Sequence, residues 1–360
     1  MVLKYTSMQI LLRSREKGMK RYIYLAILLG LMLLLNSCLT EPVYPRPEPW
    51  LCSINADGTG FRKIKKSPFN TPGLVDIYMT KDNRIIFYGE KMWISDTDTI
   101  RIGQLTPSNL VLFDFPQLEF MRDGGTAYFA ASRDIYKLDL ATYEAFKITD
   151  TPVDYTYAEP LLSDDELCIT MRTYSYNGKE QRIVGAYIDL RDNVLNYIYS
   201  DMWFPASYKT MLMTSVNKLI LENRDGFASV NLQDSTYTLH LPYLASYKNM
   251  FETSTDQSYL ITKYVQSTKS YAIAIDLQDY TCYELGYVNE YYSRSPIKVC
   301  KEANLVFYFD DQRIYKYDLN THQKSTVIGP NEEVDVLSVI MLAPTWDGPK
   351  VYFYADIAEK

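Results

Sequence analysis

Ile135-Tyr136-Lys137-Leu138-Asp139-Leu140 is the stretch whose reading decides the fold. It is an apolar residue, a spacer, another apolar residue, then Asp, then Leu. The same phrase returns along the chain at Ile54-Asn55, Ile94-Ser95-Asp96, Ile188-Asp189-Leu190, Val230-Asn231-Leu232, Ile275-Asp276-Leu277 and Tyr317-Asp318-Leu319. Measured at Asn55, Ser95, Asp139, Asp189, Asn231, Asp276 and Asp318, the steps are 40, 44, 50, 42, 45 and 42 residues. A fixed period of this size marks one supersecondary unit repeated around or along an axis. The runs between are rich in Tyr, Ile, Val, Phe and Leu and are bounded by Asp, Asn, Gly, Ser and Pro, which is strand punctuation.

A second phrase precedes most copies, a polar turn followed by an alternating strand. It reads Asp82-Asn83-Arg84-Ile85-Ile86-Phe87-Tyr88, Asp123-Gly124-Gly125-Thr126-Ala127-Tyr128-Phe129 and Asp164-Asp165-Glu166-Leu167-Cys168-Ile169. Weaker copies occur at 217–221, 256–261 and 303–307, and the last is Asp347-Gly348-Pro349-Lys350-Val351-Tyr352-Phe353-Tyr354. This last copy has no first phrase after it, and Ile54-Asn55 has no turn-and-strand phrase before it. Joining them makes one unit from the two ends of the chain. Period and content predict an all-β propeller of seven four-stranded blades; six would require one copy to be false. In the closing blade, strands near 336–342 and 350–355 are inner and strands near 51–54 and 61–64 outer, which leaves no open sheet edge in the ring.

Ser53-Ile54-Asn55-Ala56-Asp57-Gly58-Thr59-Gly60-Phe61-Arg62-Lys63-Ile64 resembles the repeat of TolB-type propellers, and 135–140 and 314–319 are similar to its first half. The resemblance runs through the chain at repeat level. It implies a periplasmic interaction module near the outer membrane. TolB-type propellers usually have six blades, so no specific TolB role follows.

The amino-terminal part reads differently. Lys20 and Arg21 precede an apolar run from Tyr22 to Leu35, and Asn36-Ser37-Cys38 ends it. Charge, apolar core and a small residue in this order make a secretory signal. The run is shorter than the ~20 residues a membrane-crossing helix needs. A Cys just after a small residue resembles the lipobox of bacterial lipoproteins, with Cys38 the acylated first residue of the mature chain. Residues 1–37 are then signal, with Met19 an alternative start, 38–49 the lipidated Cys and a Pro-rich tether, and 50–360 the propeller. Leu39 is not the Asp that holds some lipoproteins at the inner membrane. The resemblance implies an outer-membrane anchor, periplasmic or surface-facing, and the whole is similar to lipoproteins of the Bacteroides group.

Beyond residue 37 the chain has 31 Lys and Arg against 43 Asp and Glu, a formal charge of −12. Such a domain is no partner for nucleic acid, which demands clustered cations. Cys52, Cys168, Cys282 and Cys300 are far apart, lie in or beside apolar strands and form no Cys-x-x-Cys pair, so they read as buried free thiols. The two histidines, His240 and His322, are about 80 residues apart. They read as loop and solvated turn, and no metal or cofactor is expected. The Gly-x-Ser-x-Gly elbow and the sialidase box are missing from the sequence. Trp346-Asp347 occurs once without the Gly-His partner of WD repeats. Asp-Gly pairs and the pairs Asp164-Asp165 and Asp310-Asp311 read as turns.

Thirty-three tyrosines remain to be explained. Most are strand residues packed on one face. Those expected in long connections of one propeller face are Tyr155, Tyr157, Tyr174, Tyr176, Trp203, Tyr243, Tyr247 and Tyr291, with Arg172 and Arg294. Aromatic and Arg clusters are the composition of binding hot spots. The expected function is non-catalytic recognition of an envelope protein or a glycan. The alternatives are a glycan lyase or hydrolase using Asp154, Glu159 and Glu290 with tyrosines, and a structural subunit of an envelope assembly.

Overall fold

The computed structural model describes residues 49–66, 74, 76–97, 102–105, 112, 118–150, 155–163, 165–175, 183–199, 210–215, 218–223, 226–231, 234, 236–242, 252–254, 258–266, 269–288, 296–310, 312–329 and 335–358. Among them the strands form seven four-stranded antiparallel sheets, a β-propeller. Six sheets take four consecutive strands. They are β3 (Asp76–Met79), β4 (Arg84–Tyr88), β5 (Met92–Asp96) and β6 (Ile102–Gln104); then β7 (Leu118–Phe120), β8 (Thr126–Ala131), β9 (Asp134–Asp139) and β10 (Ala145–Lys147). Next come β11 (Tyr155–Leu162), β12 (Cys168–Ser175), β13 (Ile183–Asp189) and β14 (Val194–Tyr199), then β15 (Thr210–Ser215), β16 (Lys218–Asn223), β17 (Gly226–Asn231) and β18 (Tyr237–Pro242). The fifth has β19 (Glu252–Thr253), β20 (Tyr259–Gln266), β21 (Lys269–Asp276) and β22 (Cys282–Val288), and the sixth β23 (Ile297–Val299), β24 (Leu305–Phe309), β25 (Ile314–Asp318) and β26 (Gln323–Ile328).

The seventh sheet closes the ring as the sequence predicts. Its order is β27 (Asp335–Pro344), β28 (Lys350–Ala358), β1 (Trp50–Asn55) and β2 (Arg62–Lys66), from inside outward. β1 pairs with β28 from Trp50 opposite Ala355 to Asn55 opposite Lys350.

The core lies between blades. Leu51, Met341 and Tyr354 of the closing blade pack with Ile77 and Phe87 of the first and Phe129 of the second. Tyr128 and Ile135 meet Met171 and Ile188, and Leu161 meets Ile220, Phe227 and Leu260. Ile261 and Leu285 meet Val306 and Tyr308, and Phe307 and Phe309 meet Leu342 and Phe353. The second strands β4, β8, β24 and β28 are therefore covered on both faces. Ile85, Ile86, Phe87 and Tyr88 are all buried, so the expected alternation of these strands gives way to a continuous apolar run. Burial likewise claims many tyrosines: Tyr88 and Tyr308 are inaccessible to solvent, and the Tyr308 hydroxyl donates to the Leu285 carbonyl. The four described cysteines are free, as expected. Cys282 departs from the expected burial, because β22 is an outer strand and leaves it exposed.

Candidate functional site

The two faces of the ring are built differently. First and third strands of a blade run one way, second and fourth the other. The turns from first to second strand are short, and in four of the blades they follow one design. In 80–84, the Thr80 N–H donates to the Arg84 carbonyl (2.9 Å), the Arg84 N–H donates to Thr80 Oγ1 (2.9 Å), and that hydroxyl donates to Asp82 Oδ1 (2.5 Å). Ser163 repeats it: the Cys168 N–H donates to its Oγ (2.9 Å), which donates to Asp165 Oδ1 (2.6 Å). Ser254 accepts from the Tyr259 N–H (2.9 Å) and Thr345 from the Lys350 N–H (3.2 Å). A hydroxyl that closes its own turn satisfies a backbone donor that the bend would otherwise strand.

Turns from third to fourth strand use the Asp of the first phrase. Asp139 accepts from the Ala141 and Thr142 N–H groups, Asp276 from Gln278 and Asp318 from Asn320. The Thr142 and Ala141 donors hold the Asp139 carboxyl below its ordinary range. The residue four places on takes a left-handed backbone: φ is 61° at Tyr143, 62° at Tyr280 and 54° at His322. The recurring Asp is thus a turn builder.

The opposite face receives the long connections. The segments from the fourth strand of one blade to the first of the next are 67–75, 105–117, 148–154, 200–209, 243–251, 289–296 and 329–334, between six and thirteen residues each. The strand ends they join lie on that face, as do those joined by 176–182 between β12 and β13.

Inside the ring a buried ion pair spans non-neighbouring blades. Lys298 Nζ on β23 lies 2.7 Å from Asp76 Oδ2 on β3, with side chains 7% and 0% exposed. Asp76 Oδ1 accepts from the Ile77 N–H (2.9 Å), and the Lys298 ammonium stands 4.0 Å from the Tyr78 ring centre. Burial raises the Asp76 carboxyl, and Lys298 pulls it back. Burial, then the Asp76 charge, raises the Tyr78 phenol. Glu252 on β19 accepts from the Val299 N–H (2.7 Å). These groups tie the inner strands β3, β19 and β23 to one another. At the mouth on the tight-turn face a small pocket is lined by Glu119, Arg122, Ser163, Glu166, Thr253 and Lys301, among others. The Arg122 N–H donates to Glu166 there (2.6 Å).

Both histidines are held in ring stacks away from this axis. His240 is on strand β18 and not in the expected loop, because its ring packs against Tyr280 (3.4 Å between centres) while Nε2 bonds Ser229 Oγ (2.7 Å). Burial, then Lys218, lowers its pKa. His322 sits in a turn, as expected, and stacks on Tyr283 (4.6 Å). Among the described residues no cluster of three or more His, Cys, Asp or Glu is arranged to hold a metal.

Of the residues singled out in the sequence, Cys38, Asp154, Tyr176, Trp203, Tyr243, Tyr247, Glu290, Tyr291 and Arg294 lie outside the described residues. Tyr155, Tyr157, Glu159, Arg172 and Tyr174 were expected in connections. Their backbone is strand instead: β11 and β12 pair Tyr155 with Ser175, Thr156 with Tyr174, Tyr157 with Thr173 and Ala158 with Arg172. Thr and Tyr favour extended pairing, which prolongs this hairpin past the point where punctuation suggested its end. Trp346, set aside as a chance likeness, joins two blades: its Nε1–H donates to the Met79 carbonyl (2.8 Å), and its ring meets Phe120 edge-on (5.9 Å).

No family model matches the chain, and no curated protein is significantly similar to it. Solved structures do match. An oligogalacturonate lyase in complex with manganese superposes with a TM-score of 0.58 at 11% identity, over 87% of this chain and 98% of that one. An oligogalacturonate lyase from Vibrio parahaemolyticus gives 0.56 at 10% identity, over 87% and 99%. TolB from Acinetobacter baumannii gives 0.46 at 13% identity, over 90% and 68%, too loose to add to the argument. At these identities the likeness is one of fold.

Proposed function

We propose that this chain is a cell-envelope binding propeller, held to the outer membrane by acyl chains on Cys38 and recognising a protein or a glycan, without catalysis, through its long-connection face. The observation that supports this is the asymmetry of the ring. One face carries the tight turns, in many of which Asp, Ser or Thr side chains are engaged in their own bends, around one small pocket. Every long connection leaves the other, and binding residues concentrate on loops carried by a rigid scaffold. Tyr176, Trp203, Tyr243, Tyr247, Tyr291 and Arg294 belong to those connections in the sequence. The test is thermal unfolding of the chain from Cys38 onward, in mild detergent, against panels of glycans and peptides. A ligand at 100 times its Kd that binds the folded state alone adds about 2.7 kcal/mol. The shift is expected to vanish in Trp203→Ala with Tyr243→Ala. A shift that survives both changes refutes this face as the site.

A second reading is favoured by the shared fold with oligogalacturonate lyases: a glycan lyase or hydrolase with Asp154, Glu159 or Glu290 as acid or base. Appearance of an unsaturated sugar product from oligogalacturonate, abolished by replacing one of these carboxylates, would decide for the enzyme.

A further inference from the structure

We infer that the outer edge of the closing blade docks on anionic lipid headgroups beside the tether, so that the ring stands on its edge at the membrane. The inference rests on the lipid-anchor reading.

The edge is β2, Arg62-Lys63-Ile64-Lys65-Lys66. Four of its five residues are cationic, in a chain whose formal charge is −12 beyond residue 37. The other outer strands, β6, β10, β14, β18, β22 and β26, carry at most one Lys each. Arg62, Lys65 and Lys66 are exposed. Lys63 lies over the Trp50 ring, 5.3 Å from its centre.

Position gives the patch its meaning. Trp50 pairs with Lys66 and Leu51 with Lys65, so the basic strand ends where the chain enters the fold. The segment preceding that point is Leu39-Thr40-Glu41-Pro42-Val43-Tyr44-Pro45-Arg46-Pro47-Glu48-Pro49. Eleven residues of chain span at most about 40 Å in any arrangement, so an acyl group on Cys38 keeps this edge within reach of the bilayer. A basic cluster beside a lipid chain is the second signal that turns reversible membrane contact into a held one. The rest of the acidic domain is repelled by the same surface, and the repulsion turns the basic edge inward. Charge on an outer strand also guards against edge-to-edge pairing with other chains, and the test separates the two roles.

The mature chain, from residue 38 onward and with Cys38→Ser, is mixed at low salt with vesicles of phosphatidylcholine, or of phosphatidylcholine with a third phosphatidylglycerol, and its partition is read by sedimentation. Each basic side chain near an anionic surface is worth about fivefold in partition. Replacing Arg62, Lys65 and Lys66 by Glu is expected to lower partition onto anionic vesicles by roughly a hundredfold or more, and high salt to abolish it. A control replaces Lys91, Lys137 and Lys269 by Glu, giving the same net charge on other blades, and is expected to keep most of the binding. Equal partition of wild type onto both vesicles overturns the inference. So does an equal loss in the control, or normal binding by a triple variant that instead self-associates. Flotation of the processed wild-type chain with membranes at high salt, lost in the chain from residue 38 onward with Cys38→Ser, reports the anchor separately, so either reading can fail without the other.

Discussion

Replacing Lys298 by Met tests whether the ion pair at the centre of the ring is as dry as its geometry implies. The two groups are 2.7 Å apart, and their side chains are 7% and 0% exposed. Met fills much of the Lys stem and removes the charge. Among the described residues Asp76 then keeps one backbone donor, Ile77, and loses the Lys298 ammonium. Breaking a buried pair from one side costs about 3–5 kcal/mol, because the remaining charge is neither solvated nor paired. Replacing both, Asp76→Asn with Lys298→Met, is expected to recover most of that loss. Urea unfolding followed by intrinsic fluorescence measures it as a shift in midpoint at constant slope. The pH dependence carries the sign. Burial already raises the Asp76 carboxyl against the pull of Lys298; without the ammonium it rises further. Above the unfolded carboxyl value of about 3.9, the folded variant holds a proton that the unfolded chain releases. Stability of Lys298→Met must therefore fall as pH rises from about 4 upward, and the double variant must lose that slope. A loss below about 1 kcal/mol at neutral pH, or one that grows on acidification, refutes the argument.

Two further outcomes follow from the turns and the thiols. Ser163→Ala removes the acceptor of the buried Cys168 N–H and the donor to Asp165; leaving such a group unsatisfied costs about 1–3 kcal/mol, again read from the urea midpoint. In the chain with Cys38→Ser, a thiol reagent at pH 8 should modify Cys282 first. Burial pushes the Cys52 thiol up to about 12 and that of Cys168 to about 11, and raises Cys300 strongly, so those three should react after denaturation. Rapid modification of all four in the native state would contradict the packing.

The period and the closure of the ring were legible because both are written locally. Asp139, Asp276 and Asp318 each bend their own hairpin, and a hairpin repeated at even spacing can be read without knowing what it packs against. The Ser or Thr two places before the turn Asp, at Thr80, Ser163, Ser254 and Thr345, is an equally local signal. Burial of the second strands was not local. Alternation is expected of a sheet with one wet face, and it fails at Ile85–Tyr88 because neighbouring blades cover both faces. The Asp76–Lys298 pair was out of reach for a different reason. Its partners are 222 residues apart and meet because the ring closes. The sequence does hold a trace of it, since each charge stands among apolar residues, Val75-Asp76-Ile77 and Ile297-Lys298-Val299. A charge inside an inner-strand pattern demands a partner.

That demand bears on function. A carboxylate available to a ligand must not be consumed by the fold, yet the described acidic groups of the repeats are largely consumed: Asp139, Asp276 and Asp318 by backbone N–H groups, Asp82 and Asp165 by hydroxyls, Asp76 by Lys298. Stability resides in the same places, in turns and in cores between blades. A scaffold that satisfies its own polar groups on one face and leaves long segments on the other can change its ligand by changing those segments alone. The ring shares its fold with a lyase at 11% identity, and a shared fold leaves the chemistry to the site.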